Sequence, residues 1–171
     1  MDIRVGILTI SDRSSKGLRP DTSGPALAET VQQLGWIVQV TGLVADEFEE
    51  IKTRLAEWVD RGDIDILLTT GGTGVAPRDV TPEATLAVIQ RVVPGLAEAM
   101  RSASLKVTPH AMLSRAVAGI RERTLVINLP GSPKAALENL LAIQSVLPHA
   151  VQILQGDPKA EAGHQIPGLN Q

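Results

Sequence analysis

Apolar residues recur along this chain in two rhythms, and the alternation between them predicts the elements. Residues 3–10, IRVGILTI, are apolar almost throughout and predict a buried strand. Residues 24–35, GPALAETVQQLG, predict a helix closed by Gly35, and 36–43, WIVQVTGL, the next strand. Across 47–60, Phe48, Ile51, Leu55, Trp58 and Val59 return at steps of three and four, so one face of a helix packs on the sheet. A third strand, 64–70 (IDILLTT), is bounded by DRGD and by glycines. Thr81 followed by Pro82 predicts an N-cap with proline at the first helical position, opening a helix that runs to about Arg91. Pro94 starts another through GLAEAMRSASL. Two β-like runs within 116–129 flank a charged RER turn and predict an antiparallel hairpin at the sheet edge. The last apolar segment predicts two helices separated near Pro148.

Short β-branched runs alternating with helical ones are the mark of βαβ units, so the expected class is α/β with a mostly parallel sheet. There is no internal repeat and no linker. One domain is expected over residues 1–156, followed by a flexible C-terminal tail over 157–171, which is polar and rich in glycine and proline.

Composition narrows the function classes. The chain has 171 residues, 43% of them apolar, and a net charge of −3, an ordinary globular balance without the basic excess of a nucleic-acid binder. One phenylalanine, two tryptophans and no tyrosine leave no aromatic platforms for stacked bases, so no nucleic-acid partner is expected. No apolar run approaches the roughly 18 residues of a membrane span, and the chain starts on a strand-like run, so no membrane association and a cytoplasmic location are expected. Cysteine is absent, which excludes disulfides, thiolate nucleophiles and cysteine-ligated zinc. His110, His149 and His164 lie far apart in sequence and do not suggest a metal cluster.

The chemistry concentrates in loops that leave one edge of the sheet. In LLTTGGTGVAPRDVTPEAT, Gly71, Gly72 and Gly74 can bring bare backbone close to a ligand and turn successive N–H groups toward an anion. The spacing fits neither a Walker A loop nor GxGxxG, and a tight strand-to-loop turn is the alternative. Asp46 ends the loop after the second strand and Asp79 lies in the loop after the third, so the two could hold magnesium together with substrate phosphates. Equally, Asp46 with Glu49 has the spacing of a capping box, and Asp79 could brace the turn before Thr81. Ser11 and Asp12 follow the first strand. Gly131 with the Ser132-Pro133 helix start offers free N–H groups to an anion, or Ser132 is simply a cap.

In order, the stretches SDR, DTSGP, VADE, TTGGTG, PRDVTPEAT, PG, MLSR and INLPGSP resemble the MoaB/Mog domain family, the molybdopterin adenylyltransferases of molybdenum-cofactor biosynthesis. The resemblance covers roughly residues 3–156 and is most specific over 69–85. It implies a three-layer αβα sandwich, usually trimeric, and Mg-ATP-dependent transfer of AMP to molybdopterin with release of pyrophosphate, ahead of metal insertion by a separate insertase. It assigns Asp46 and Asp79 to catalysis and to a magnesium ion. Gly71, Gly72, Thr73, Gly74, Arg78, Thr81 and Pro82 are assigned to substrate binding, with Ser114 in the pterin site and Ser11, Asp12, Asn128, Pro130, Gly131 and Ser132 in loops lining the pocket. Ala45 stands where many relatives carry proline. The same resemblance admits two other outcomes, a pterin-binding carrier without catalysis and a nucleotide pyrophosphatase of the same fold.

Overall fold

The computed structural model describes residues 2–158 and 160. Six strands form one mixed sheet: β1 (Arg4–Ile10), β2 (Ile37–Val44), β3 (Ile66–Thr70), β4 (Arg91–Val92), β5 (Ala118–Arg121) and β6 (Thr124–Leu129), in the order β2-β1-β3-β6-β5-β4. β2, β1, β3 and β6 run parallel, and β5 and β4 are antiparallel additions. The helices are α1 (Asp12–Ser15), α2 (Ser23–Gln33), α3 (Phe48–Asp60), α4 (Thr81–Leu86), α5 (Pro94–Leu105), α6 (Pro133–Ile143) and α7 (Leu147–Gln155).

Alternate side chains of β1 feed two cores. Val5 and Ile7 pack with Leu27 and Val31 of α2 and with α5, α6 and α7, while Leu8 and Ile10 pack with Ile51, Leu55 and Trp58 of α3 and Ala84 of α4. The result is three layers, as the α/β class requires. The crossovers β1-α2-β2 and β2-α3-β3 therefore lie on opposite faces, and the chain reverses direction across the sheet between β1 and β3. At that switch point the loops leaving the carboxyl ends of the two strands diverge and leave a crevice.

Three expectations shift. The helix from Thr81 stops at Leu86 instead of reaching Arg91, because Gln90 N–H and Val93 N–H pair with Ile120 O and Ala118 O and claim 91–92 for the edge strand β4. The RER turn does join an antiparallel pair, with Glu122 at φ 51°, but β6 is interior and fully buried, paired with β3 on its other side. The break between the last two helices is the 3₁₀ turn Gln144–Val146, and Pro148 sits inside the first turn of α7. Of the tail, Asp157 and Ala160 still bond back through Gln152 O and Asp157 O, with Ala160 buried; the rest of that expectation lies outside the described residues. Gly35, at φ 76°, closes α2 as expected.

Candidate functional site

The carboxyl ends of β1, β2, β3 and β6 deliver Ser11, Asp12, Asp46, the glycine loop and Gly131 to one crevice. Its floor is glycine for steric reasons. Gly71 has φ 111°, and a Cβ there would run into Ile10 O; Gly72 has φ 63°, and a Cβ would strike Thr81 Oγ1. A Cβ on Gly131 would lie 3.2 Å from Gly71 Cα, so two backbones cross here. Thr81 fastens the loop from below. Its N–H donates to Gly72 O at 3.1 Å and its hydroxyl to Gly71 O at 2.9 Å. Thr70 Oγ1 donates to Pro130 O at 2.7 Å and Ser23 Oγ to Gly131 O at 2.8 Å, fixing the β6 loop against its neighbours.

Asp12 and Asp46 are bonded reciprocally. Asp12 N–H donates to Asp46 Oδ2 at 2.8 Å and Asp46 N–H to Asp12 Oδ1 at 3.1 Å. The capping-box reading of Asp46 fails on this geometry: the residue flanking α3 is Glu47, with no side-chain cap bond, and the Asp46 carboxylate turns to the β1 loop instead. Arg78 lies across the pair. Its Nε and Nη2 donate to the two Asp12 oxygens, both at 2.9 Å, and Nη2 also reaches Glu47 Oε1 at 2.7 Å. Asp79 does brace its own turn, with Oδ2 accepting from Ala76 N–H at 2.9 Å.

The electrostatics set the carboxyls apart. Burial pushes the Asp46 carboxyl above its usual range, and the charges of Asp12 and Asp79 add to that push against the N–H donated by Asp12. The hydrogen bonds from Arg78 hold the Asp12 carboxyl below its usual range, outweighing burial.

Two cavities meet over the glycine loop. The larger, about 730 Å³, is the more polar and carries charges of both signs: Ser11, Asp12, Asp46, Gly71, Ser132 and Arg13, Arg19 and Asp21 line it. The smaller, about 420 Å³, is lined by Thr73, Gly74, Ser114 and Pro130 beside Val107, Leu113, Ala111 and Arg101. Gly72, Asp79 and Gly131 belong to both. Each aspartate oxygen facing the loop has only glycine beneath it: a Cβ on Gly72 would come within 3.0 Å of Asp46 Oδ1, and one on Gly74 within 2.9 Å of Asp79 Oδ2. Hard carboxylate oxygens over open backbone suit magnesium held jointly with phosphates and water. Among the described residues no group of three or more His, Cys, Asp or Glu side chains is gathered as an all-protein cage.

Several predicted site residues do not touch either cavity. Asn128 is fully buried, its amide donating to Thr69 Oγ1 at 3.0 Å and Thr85 Oγ1 at 2.9 Å while Oδ1 accepts from Val117 N–H at 3.3 Å. It bolts the sheet together behind the crevice. Thr81 and Pro82 are likewise buried, as supports of the loop, and Arg78 is exposed outside both cavities. Ser11 and Ser132 cap α1 and α6, accepting from Ser14 N–H and Ala135 N–H at 3.2 Å each, and line the larger cavity as well. Sequence reasoning passed over Asp21, whose Oδ1 accepts from Ser23 N–H and Gly24 N–H at 3.1 Å each. An aspartate two residues before a helical serine was the available signal.

A family profile described as "Probable molybdopterin binding domain" matches residues 6–149. The chain is 45% identical to the molybdopterin adenylyltransferase of Helicobacter pylori over 91% of its own length and 89% of that protein's. It is 43% identical to gephyrin of Dictyostelium discoideum, again over 91% of its own length but over only 23% of gephyrin's. A crystal structure described as the molybdopterin biosynthesis enzyme MoaB from Thermus thermophilus superposes with a TM-score of 0.85 at 52% identity, covering 91% of this chain and 98% of that one. With the profile spanning most of the sheet and all four loops of the crevice, the chain belongs to the molybdopterin-binding domain family of molybdenum-cofactor biosynthesis.

Proposed function

We propose that this protein is a molybdopterin adenylyltransferase, converting ATP and molybdopterin to adenylylated molybdopterin and pyrophosphate. The observation that carries the reading is the pair of cavities, one polar with aspartates and arginines together and one more apolar, meeting at Asp79 and the glycine loop with Asp46 opposite. The larger suits a triphosphate that carries magnesium: Arg13 and Arg19 and the N-terminus of α6 at Ser132 supply positive charge for the phosphates, and the aspartates of the same cavity supply oxygens for the metal. The smaller, with Ser114 and aliphatic walls, suits a flat pterin whose phosphate reaches the shared rim.

An oxygen of the molybdopterin phosphate attacks the α-phosphorus of ATP. A new P–O bond forms as the bond from the α-phosphorus to the β-bridging oxygen breaks, and pyrophosphate leaves with that electron pair. The attacking phosphate is already an anion, so no protein nucleophile or strong base is required, and the task of the chain is orientation. The glycine-loop backbone approaches the phosphates closely. Asp46 and Asp79 would hold magnesium, which would supply neutralisation of charge on the leaving phosphates. Asp12 keeps Asp46 aimed through their paired bonds. A homotrimer, a cytoplasmic location and hand-over of the product to a molybdenum insertase complete the reading.

Mixing the protein with molybdopterin and Mg-ATP and following both products tests it. Adenylylated molybdopterin and pyrophosphate should appear together and vanish when magnesium is chelated. Molybdopterin binding with neither product would support a carrier, and pyrophosphate without molybdopterin a hydrolase.

A further inference from the structure

Asp79 reaches the crevice from a loop in which the other bonds of Asp79 are local: its N–H donates to Ala76 O at 2.9 Å and its Oδ2 accepts from Ala76 N–H. Thr81 ties down the end of that loop near Gly71 and Gly72, and Arg78 ties its outer side to Asp12 and Glu47, which leaves the side toward Ser114 to be held from elsewhere. Arg115 reaches it from there. The residue follows Ser114 and the 3₁₀ turn Pro109–Leu113, in the connection from α5 to β5. Its N–H donates to Thr73 O at 2.9 Å, Nε to Gly74 O at 2.6 Å and Nη2 to Asp79 O at 2.5 Å. Nη1 bonds Glu83 Oε1 in the first turn of α4. One residue thus spans the glycine end, the aspartate end and the helix that follows.

A guanidinium is suited to this, because its planar fork presents five donors at fixed angles, whereas an ammonium is a single flexible point. Arg115 lines neither cavity and stands behind the wall between them, while Ser114 beside it faces the smaller one. The main chain around Ser114 has its own support, Arg101 Nη1 donating to Ala116 O at 3.1 Å and to Ser114 O at 3.4 Å.

We propose that Arg115 is a positioning residue that sets the glycine loop and Asp79 at a fixed height relative to Ser114, so that the nucleotide and pterin lobes keep one geometry. The inference rests on the adenylyltransferase reading. It places Arg115 upstream of magnesium and phosphate binding through Asp79, and behind one wall of the pterin cavity through Thr73 and Gly74.

The test compares wild type, R115A and R115K in three measurements: turnover across a magnesium titration, calorimetric binding of α,β-methylene-ATP with and without magnesium, and thermal melting. R115A should lose roughly 10- to 100-fold in turnover, need about tenfold more magnesium for half-maximal rate, and bind the analogue about tenfold more weakly with magnesium present. Its molybdopterin affinity should fall less, by at most about tenfold, since Arg101 still supports Ser114 while Gly74 and Asp79 lose a donor at one wall of the smaller cavity. R115K should recover little, because charge alone does not bridge three acceptors. A residue that only stabilises the fold would lower the melting temperature and leave the magnesium midpoint unmoved, which overturns the proposal; so does full recovery in R115K. Should R115A fail to fold, E83A severs only the outer bond at an exposed carboxylate. An increase of about 3- to 10-fold in its magnesium midpoint supports the proposal and no increase overturns it. Absence of product from the wild type would sink the adenylyltransferase reading alone, with the analogue-binding comparison still deciding Arg115. No magnesium-dependent analogue binding by the wild type would sink both.

Discussion

Replacing Gly74 with alanine would move the Asp79 carboxylate while leaving the backbone at ease, because Gly74 is not among the glycines of positive φ. The new Cβ would start 2.9 Å from Asp79 Oδ2. Non-bonded heavy atoms settle at about 3.5 Å, so the carboxylate must withdraw by roughly 0.6 Å, stretching its 2.9 Å bond from Ala76 N–H. Asp79 is half-buried, and weakening that bond costs about 1 kcal/mol, or a melting temperature lower by roughly 2 to 4 °C for a chain of this length. The effect on turnover is larger, since a displacement of this order in a positioned group costs roughly 10- to 100-fold. Rates of product formation and melting curves, measured on the same preparation, separate the two. Gly72→Ala is the contrast: φ 63° and a Cβ against Thr81 Oγ1 should add about 1 to 3 kcal/mol of strain and a visibly less stable protein. G74A with wild-type turnover and the small melting shift would refute the reasoning, because the carboxylate would have moved without consequence.

Asp46→Asn should separate stability from activity. A folded-state carboxyl raised above its unfolded value favours the folded state while protonated, and that contribution is lost as pH rises through the folded value. D46N should therefore melt higher than wild type at neutral pH, with the gap closing as pH falls into the ordinary carboxyl range, while turnover drops about 100-fold; melting curves across the acid range and a rate assay check both. Asn128→Ala should do the reverse, leaving Thr69, Thr85 and Val117 without their partner and lowering stability by about 2 to 3 kcal/mol, with KM for both substrates within about twofold. A KM change without a melting change would instead put Asn128 in contact with ligand.

The crevice was more legible than the details of the fold. β1, β3 and β6, and the glycine loop that follows β3, could be read from apolar runs, because burial on both faces leaves few polar residues in such strands, while the half-exposed edge strand β2 was read from its β-branched residues. What escaped depended on partners distant in sequence. Nothing local in IQRVVP marks 91–92 as a strand, since its pairing with β5 is tertiary. The spacing of Asp46 and Glu49 is that of a capping box, yet the competing donor, Asp12 N–H, stands 34 residues earlier. Asn128 and Thr81 sit in motifs of the site but face away from it, a distinction set by alternation along β6 and by the packing of α4. Arg115 drew no attention beside Ser114 because its acceptors are backbone carbonyls, which carry no signature in a sequence.

The bonds that build the crevice also bear on how it comes into being. Asp12 joins Asp46 across 34 residues, Thr70 joins Pro130 across 60, Arg78 joins Asp12 across 66 and Ser23 joins Gly131 across 108. Each closes a long loop of chain, and such closures are entropically costly until the intervening strands have paired. A nascent chain that has made β1, β2 and β3 owns both aspartates and the glycines but lacks the β6 loop that crosses Gly71. The cradle thus arrives last, with the final parallel strand, and shares the cooperativity of the whole sheet rather than that of any segment.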